Sequence, residues 1–150
     1  MQVIRTAKSA DARAVELLYR QLINDNNVRV AESQVLALES DRRTRLLVCE
    51  VDGEVRGTVL IGLCMDAMYA SQPFAVVENL VVHRDFRGTG IGQALLREAE
   101  RFCQASDCSK MMLLSSETRR DAHRFFERAG FRADSKRGFV KYRSQFGVTV

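Results

Sequence analysis

Hydrophobic positions change period from one segment of the chain to the next. Residues 2–6 read as a first strand, and Ser9, a residue type suited to capping, precedes a first helix. In that helix Val15, Leu18, Tyr19 and Leu22 recur at i, i+3, i+4 and i+7, which is one apolar stripe. The polar run 24–27 breaks it, and 31–41, with Val35, Leu36 and Leu38, is a weaker helical stretch. Two β-rich runs, 45–51 and 54–64, flank Asp52-Gly53, the strongest short-range signal for a hairpin. Residues 65–73 read as a loop and 74–82 as a further strand. A Gly-rich segment then passes into a helix near Gly90, with Ile91, Leu95, Ala99 and Phe102 on one face and Leu96 and Cys103 beside them. Residues 110–116 predict a strand. Residues 119–130 predict a helix striped by Ala122, Phe125, Phe126 and Ala129, with Gly130 placed to end it in a left-handed turn. The stretch 138–146 reads as one or two final strands. The sum is an α/β (α+β) layer: a mixed, largely antiparallel central sheet of six to seven strands with about four helices.

Composition narrows the classes. The chain has 150 residues, 46% hydrophobic and 28% charged, which suits a single globular domain over 1–150. The longest strongly apolar run, 59–65, is interrupted by Gly62 and falls far short of the roughly 20 residues that cross a bilayer. The first residues turn polar at once and form no apolar signal core. Cys49, Cys64, Cys103 and Cys108 show no CxxC spacing, so they read as reduced thiols of a cytoplasmic protein. With only His83 and His123, no zinc cluster arises from local spacing, and no metal is expected. The net charge of +4 suits an anionic ligand such as a nucleotide cofactor. It is too small and scattered to imply nucleic acid without a motif.

The sharpest feature is Arg87-Gly88-Thr89-Gly90-Ile91-Gly92, between a strand ending near Val82 and a helix beginning near Gly90. Alternate glycines let the backbone pass close to a ligand. The first N–H groups of a helix lack intrahelical partners and sit at the positive end of its dipole, which makes a site for phosphate or pyrophosphate. Arg87 adds a charged fork for the same anion. Other Gly-rich loops fit poorly. A Walker A loop needs Gly-Lys-Ser/Thr, which is absent. A Rossmann fingerprint needs GxGxxG after the first strand of a parallel unit, whereas this GxGxG follows a hairpin.

The stretch ENLVVHRDFRGTGIGQALL (78–96) resembles the acetyl-CoA-binding motif of the GNAT superfamily of N-acetyltransferases, Arg/Gln-x-x-Gly-x-Gly/Ala, with Arg87, Gly90 and Gly92 at its three positions. A second block, DAHRFFERAGF (121–131), is similar to the family's later A-x-x-F-Y-E-x-x-G-F helix, and the agreement in order spans roughly residues 2–142. The resemblance implies a GNAT-like acyl-CoA N-acyltransferase fold whose fourth and fifth strands (74–82 and 110–116) splay apart. Pantetheine would lie in the gap, bonded to the backbone of Leu80, Val81 and Val82. The pyrophosphate would sit on the N–H groups of Arg87, Gly88, Thr89, Gly90, Ile91, Gly92 and Gln93. A backbone N–H near a bulge in the fourth strand polarises the thioester carbonyl in family members. Acetyl-CoA is thus the implied co-substrate, and a primary amine of a small molecule, peptide or protein the implied acceptor. A homodimer is compatible with this reading, and no membrane partner is.

Transfer to an amine also needs a base, since a lysine-like amine has a pKa of about 10.4. Glu78 is the best placed, and Asn79 stands beside it to orient a water. Glu78 shares strand parity with Phe74, Val76, Leu80 and Val82, an apolar face on which a carboxylate is expected to be partly desolvated, unless the family's usual bulge shifts the parity. Phe126 stands where many family members have a Tyr that protonates the departing thiolate. Phe cannot donate a proton, which leaves water for that step and Phe126 to pack against pantetheine or complete its helix stripe. His123 flanks that stripe, and His83 follows the strand as a turn residue. The acceptor pocket would be framed by the 23–31 and 65–73 loops and the turn before Phe139. Asp25, Asp66 and Tyr69 would meet a cationic amine there, and Met65 and Met68 would add apolar contact. The rival reading is a non-catalytic acyl-CoA-binding regulatory module, for which Phe126 is the only support.

Overall fold

The Asp52-Gly53 turn sets the register of the sheet. Both residues adopt positive φ (50° and 84°), so the strands on either side close as a two-residue hairpin with Val51 opposite Glu54. The computed structural model describes residues 1–148 and divides into two compact units, Met1–Leu113 and Leu114–Val150.

The first unit holds β1 (Gln2–Thr6), β2 (Thr44–Val51), β3 (Glu54–Cys64), β4 (Phe74–Val82) and β5 (Met111–Leu113) in the spatial order β1-β2-β3-β4-β5. The first three ladders are antiparallel and β4–β5 is parallel. Among the described residues the sheet therefore has five strands rather than the six to seven expected. Residues 138–146 form no strand and contain only a 3-10 turn at Arg143–Gln145. Phe139, Val140, Tyr142 and Phe146 are all exposed there, so their hydrophobicity has no buried face to alternate against. The strand expected over 110–116 shortens to Met111–Leu113.

Three helices belong to this unit: α1 (Ala12–Leu22), α2 (Glu32–Ser40) and α3 (Ile91–Ala105). α1 packs on β3 and β4, α2 on β2, and α3 on β2, β3 and β4. Ala7, Ala12, Val15, Val35, Leu46 and Val48 form the buried cluster beneath α1 and α2. Strand alternation turns Leu47 and Cys49, also buried, to the other face. Gly57 pairs with Cys49 on that face and lies directly under Ile91 and Leu95 of α3. Ser9 does not cap α1 as expected. It opens a 3-10 turn, Ser9–Asp11, and the Asp11 carboxylate reaches back to accept from the Lys8 N–H at 2.7 Å.

Arg5 joins three elements at that point. It donates twice to Asp11 (2.7 and 3.0 Å) and twice to Glu50 (3.0 and 2.9 Å), linking β1, β2 and the approach to α1. The guanidinium holds the Asp11 carboxyl below its ordinary value, with burial opposing. Glu16 performs a similar service further along α1. It accepts from the Val30 N–H at 3.1 Å and pairs with Arg13 and Arg20, tying the 23–31 loop to the helix.

The second unit contains α4 (Arg120–Arg128), within the helix expected over 119–130. Gly130 takes φ 97 behind it. The Phe126 ring meets Phe125 and Phe131 at centroid distances of 5.4 and 6.0 Å.

Candidate active site

β4 supplies the unusual backbone. Thr58 faces Val81 and Leu60 faces Glu78, so Asn79 and Leu80 together occupy the place opposite Val59. That two-against-one count is a β-bulge, and Asn79 adopts φ 54 within it, a conformation that Asn tolerates better than most residues. On the opposite edge, β5 pairs only with Ala75, Val76 and Val77. From Glu78 to Val82, β4 continues without a β5 partner.

The exposed position of Glu78 corrects one expectation. The buried residues of β4 are Ala75, Val77 and Val81, whereas Phe74, Val76, Leu80 and Val82 are half-buried and Glu78 is exposed. The carboxylate therefore stands in solvent, on the same half-covered face as Phe74 and Val76 and one residue past the last β4–β5 pair at Val77. Its neighbour Asn79 instead meets Tyr19 from α1. Burial pushes the Tyr19 phenol above its ordinary value, and a hydrogen bond with the Asn79 side chain partly offsets this. Tyr19 was legible in the sequence only as one member of an apolar stripe. A phenol in such a stripe needs a polar partner when buried, but spacing does not say which.

The link from β4 to α3 begins with a 3-10 turn, Arg84–Phe86, capped by His83, whose Nδ1 accepts from the Asp85 N–H at 3.2 Å. His83 is thus a turn residue, and its ring stands edge-on to Phe86. The Thr89 hydroxyl donates to the Phe86 carbonyl and closes the loop. Gly88 (φ 77) and Gly90 (φ 89) both sit in the left-handed region, and Gly90 is the N-cap of α3. No side chain caps this end, and the first intrahelical bond runs from the Ala94 N–H to the Gly90 carbonyl at 3.0 Å. The N–H groups of Gly90, Ile91, Gly92 and Gln93 therefore precede the helical ladder, at the positive end of a 15-residue helix. A Cβ at Gly88 or Gly90 would meet nothing within 4 Å, so the space before these amides is open. The Ile91 side chain points the other way, into the core, leaving only its backbone to face a ligand. Arg87 is exposed beside this opening and donates from Nε to the Val82 carbonyl at 3.4 Å.

Other residues singled out from the sequence have structural duties. His123 Nε2 donates to the Ser116 carbonyl at 2.8 Å. Asp25 and Asp66 accept from the N–H groups of Asn27 and Met68 (2.8 and 3.0 Å), so both carboxylates brace their own loops. Met65 and Asp66 line a pocket of about 430 Å³ with Arg43, Leu63 and Pro73, whereas Met68 and Tyr69 stand exposed in the same loop. All four cysteines are free thiols. Burial, reinforced by Cys108, pushes the Cys103 thiol up to about 12, so it carries no thiolate at neutral pH. Among the described residues, no group of three or more His, Cys, Asp or Glu is placed to hold a metal ion. Among them too, no helix is long and apolar enough to cross a membrane.

An uncapped helix start behind a bulged strand is the arrangement that the family resemblance implied, and comparison with known proteins agrees. A sequence model of the acetyltransferase (GNAT) family matches residues 12–131. Among solved structures, the fold is similar to a transcriptional regulator from Bacillus halodurans C-125 (TM-score 0.81, 24% identity, covering 95% of this chain and 99% of that one). It is similar to glucosamine-6-phosphate N-acetyltransferase from Arabidopsis thaliana (TM-score 0.81, 20% identity, 95% and 99% covered). It is also similar to ribosomal-protein-alanine N-acetyltransferase from Brucella melitensis (TM-score 0.75, 21% identity, 95% and 99% covered). At these identities the neighbours speak for the fold alone, and it is the family match over most of the chain, joined to the α3 start and the β4 bulge, that establishes membership: this chain belongs to the GNAT acetyltransferase family.

Proposed function

We propose that the chain, as one domain over 1–150, is an acetyl-CoA-dependent N-acetyltransferase that delivers an acetyl group to a primary amine by direct attack. One observation carries the reading. Amides from Gly90 to Gln93 are presented without a side-chain cap, at the end of the short link that follows a strand whose β5 pairing ends at Val77. Such amides fit a diphosphate, which accepts hydrogen bonds and carries the charge that a helix N-terminus favours.

Acetyl-CoA supplies an activated thioester, whose carbonyl carbon takes the amine and whose C–S bond then breaks. The chain's own residues bind, aim and move protons. The N–H groups of residues 87–93 and the Arg87 guanidinium hold the diphosphate. Backbone groups of Leu80, Val81 and Val82, on the edge that β5 leaves free, pair with pantetheine as an added strand would. A β4 amide at the bulge faces the thioester oxygen and stabilises charge as it develops there. Glu78 accepts the proton leaving the amine, directly or through a water, and its exposure suits the water relay. Phe126, at the family's usual Tyr position, has no proton to give, so water protonates the departing thiolate, a tolerable leaving group with a thiol pKa of about 8.5. Four free cysteines suit a reducing compartment such as the cytoplasm.

The acceptor is a small-molecule or peptide amine. Neighbours named for an amino-sugar phosphate and for a protein alanine share this fold, so the fold does not choose between those classes. The second reading, a non-catalytic acyl-CoA-binding regulatory module, draws on Phe126 at the family's usual Tyr position. Calorimetry with acetyl-CoA followed by thiol release over an amine panel separates the two. Turnover above background hydrolysis with any amine excludes the module, and binding without turnover on every amine overturns the enzyme.

A further inference from the structure

Gly62 lies inside β3 with no backbone reason to be glycine. Its φ is not in the left-handed region, and a Cβ built on it would meet nothing within 4 Å. Glycine weakens a strand interior, and there it often marks a surface that another molecule approaches closely. The register shows what surrounds the gap. Gly62 pairs with Val76, Leu60 with Glu78 and Cys64 with Phe74, so all six share one face of the sheet, which continues to Met112 on β5. α1 and α2 cover that face at Leu46 and Val48. Beyond them the cover thins: Gly62, Cys64, Phe74 and Val76 are half-buried and Met112 is 43% exposed. The result is an apolar strip that runs about 13 Å along β4 from Phe74 and ends at the exposed Glu78 carboxylate. At its far end the Lys110 ammonium lies over the Phe74 ring, 5.4 Å from the centroid.

We infer that this strip holds the carbon skeleton of the acceptor, and that the acceptor is a primary monoamine on an unbranched apolar or aralkyl tail. The inference rests on the proposed acetyl transfer and narrows it. The tail occupies the space over Gly62, against Val76 and Phe74, and brings its nitrogen to Glu78. There the N–C bond to the acetyl carbon forms, the amine proton passes to Glu78 directly or through water, and the C–S bond breaks with its electron pair leaving on the CoA sulfur. An amino sugar suits the strip poorly, because its hydroxyls would give up water for hydrocarbon that returns no hydrogen bonds. A second ammonium suits it less, since it would be desolvated on the same surface and would face Lys110. Gly62 sets the depth of the strip, because any side chain there takes the volume that the tail needs.

Two measurements on the whole chain test this. The first is steady-state acetylation of the straight-chain amines from propylamine to hexylamine, with 1,6-diaminohexane and glucosamine for comparison. Along the alkyl series kcat/KM should rise about two- to fourfold per methylene, the worth of a CH₂ leaving water, and the diamine and the sugar should trail hexylamine by about tenfold or more. A flat series, or a diamine or sugar equal to hexylamine, overturns the proposal. Gly62→Val and Gly62→Leu should raise the KM of hexylamine about tenfold, with the dissociation constant of acetyl-CoA within about twofold of wild type. Their Tm should not fall, because the space is open and both residues suit a strand better than glycine. An unchanged KM in these folded variants overturns the proposal. The second measurement reads binding without turnover. Hexylamine is titrated in the presence of CoA while the Val76 and Met112 methyl signals are followed by NMR in wild type and Gly62→Leu. Saturable shifts in wild type that are lost in Gly62→Leu support the strip, and absent shifts in wild type overturn it. Shifts of that kind in a chain that acetylates no amine would overturn the proposed function and leave the apolar-amine site standing.

Discussion

Replacing Gly57 with Ala tests whether the core under α3 and the proposed diphosphate site are mechanically one. The added methyl would lie 2.7 Å from Ile91 Cγ2 and 3.1 Å from Leu95 Cδ1, with the Val81 carbonyl 3.4 Å behind. Ordinary carbon contacts are about 3.5–4.0 Å, so the first turn of α3 must retreat by about 1 Å. Ile91 and Leu95 are 1% and 0% exposed, and neither has solvent to swing into. Overpacking of this kind costs about 1–3 kcal/mol. Replacing Gly in a strand returns about 0.5–1 kcal/mol of backbone entropy, leaving a net loss of about 1–2 kcal/mol. In a domain of this size that lowers Tm by about 3–6 °C. The retreat also carries the Gly90–Gln93 amides away from their anion by an amount large against the roughly 0.5 Å window of good hydrogen bonds, so acetyl-CoA affinity should fall about tenfold. Differential scanning calorimetry reads the first effect and isothermal titration the second. Ile91→Ala removes the clashing methyl, and in the double variant the two losses should sum to less than their parts. An unchanged Tm would refute the packing account. A lowered Tm with unchanged acetyl-CoA affinity would refute the link from core to site.

Gly90→Glu puts a side chain at φ 89 and a negative charge among the α3 amides, and should abolish acetyl-CoA binding by calorimetry while the chain stays folded; retained micromolar affinity would remove the site from this loop. Glu78→Gln should lower kcat about a hundredfold and erase the rising limb of its pH profile, with the dissociation constant of acetyl-CoA within about twofold of wild type. An unchanged profile would free Glu78 from the base role. The Asp11 carboxyl is held below its ordinary value by Arg5, so its stabilising contribution is present above the unfolded value of about 3.9 and is lost as pH falls through the lower folded value. Asp11→Asn should therefore destabilise the fold by about 2 kcal/mol at neutral pH in urea melts, with the deficit closing in acid. A deficit of the same size at pH 2 would contradict that assignment.

Local regularity explains which elements were legible in the sequence. β4 has the bounds that its apolar run predicts, 74–82, and α3 starts one residue after Gly90 because a left-handed glycine and the Ala94–Gly90 bond mark the place. The hairpin followed from Asp52-Gly53, whose conformational preference is carried by those residues alone. The 138–146 stretch misled because apolar residues were counted without knowing what would cover them, and nothing buries Phe139 or Tyr142. Glu78 misled for a related reason. Parity assigns Glu78 to the face of Phe74 and Val76 but does not say how far that face is covered, and those two residues are themselves only half-buried.

By itself the sequence determined the family, the order of most elements and the Gly-rich start of α3, because each rests on short-range chemistry: glycines that permit a backbone turn, a helix start without a side-chain cap, and stripes of fixed period. Tertiary structure alone decided what meets across long stretches of chain. Tyr19 comes to Asn79, Gly57 to Ile91, and Arg20 to Arg84 and Arg87. Those encounters depend on how two helices cross a twisted sheet and where one bulge reaims it, and no local period encodes that geometry.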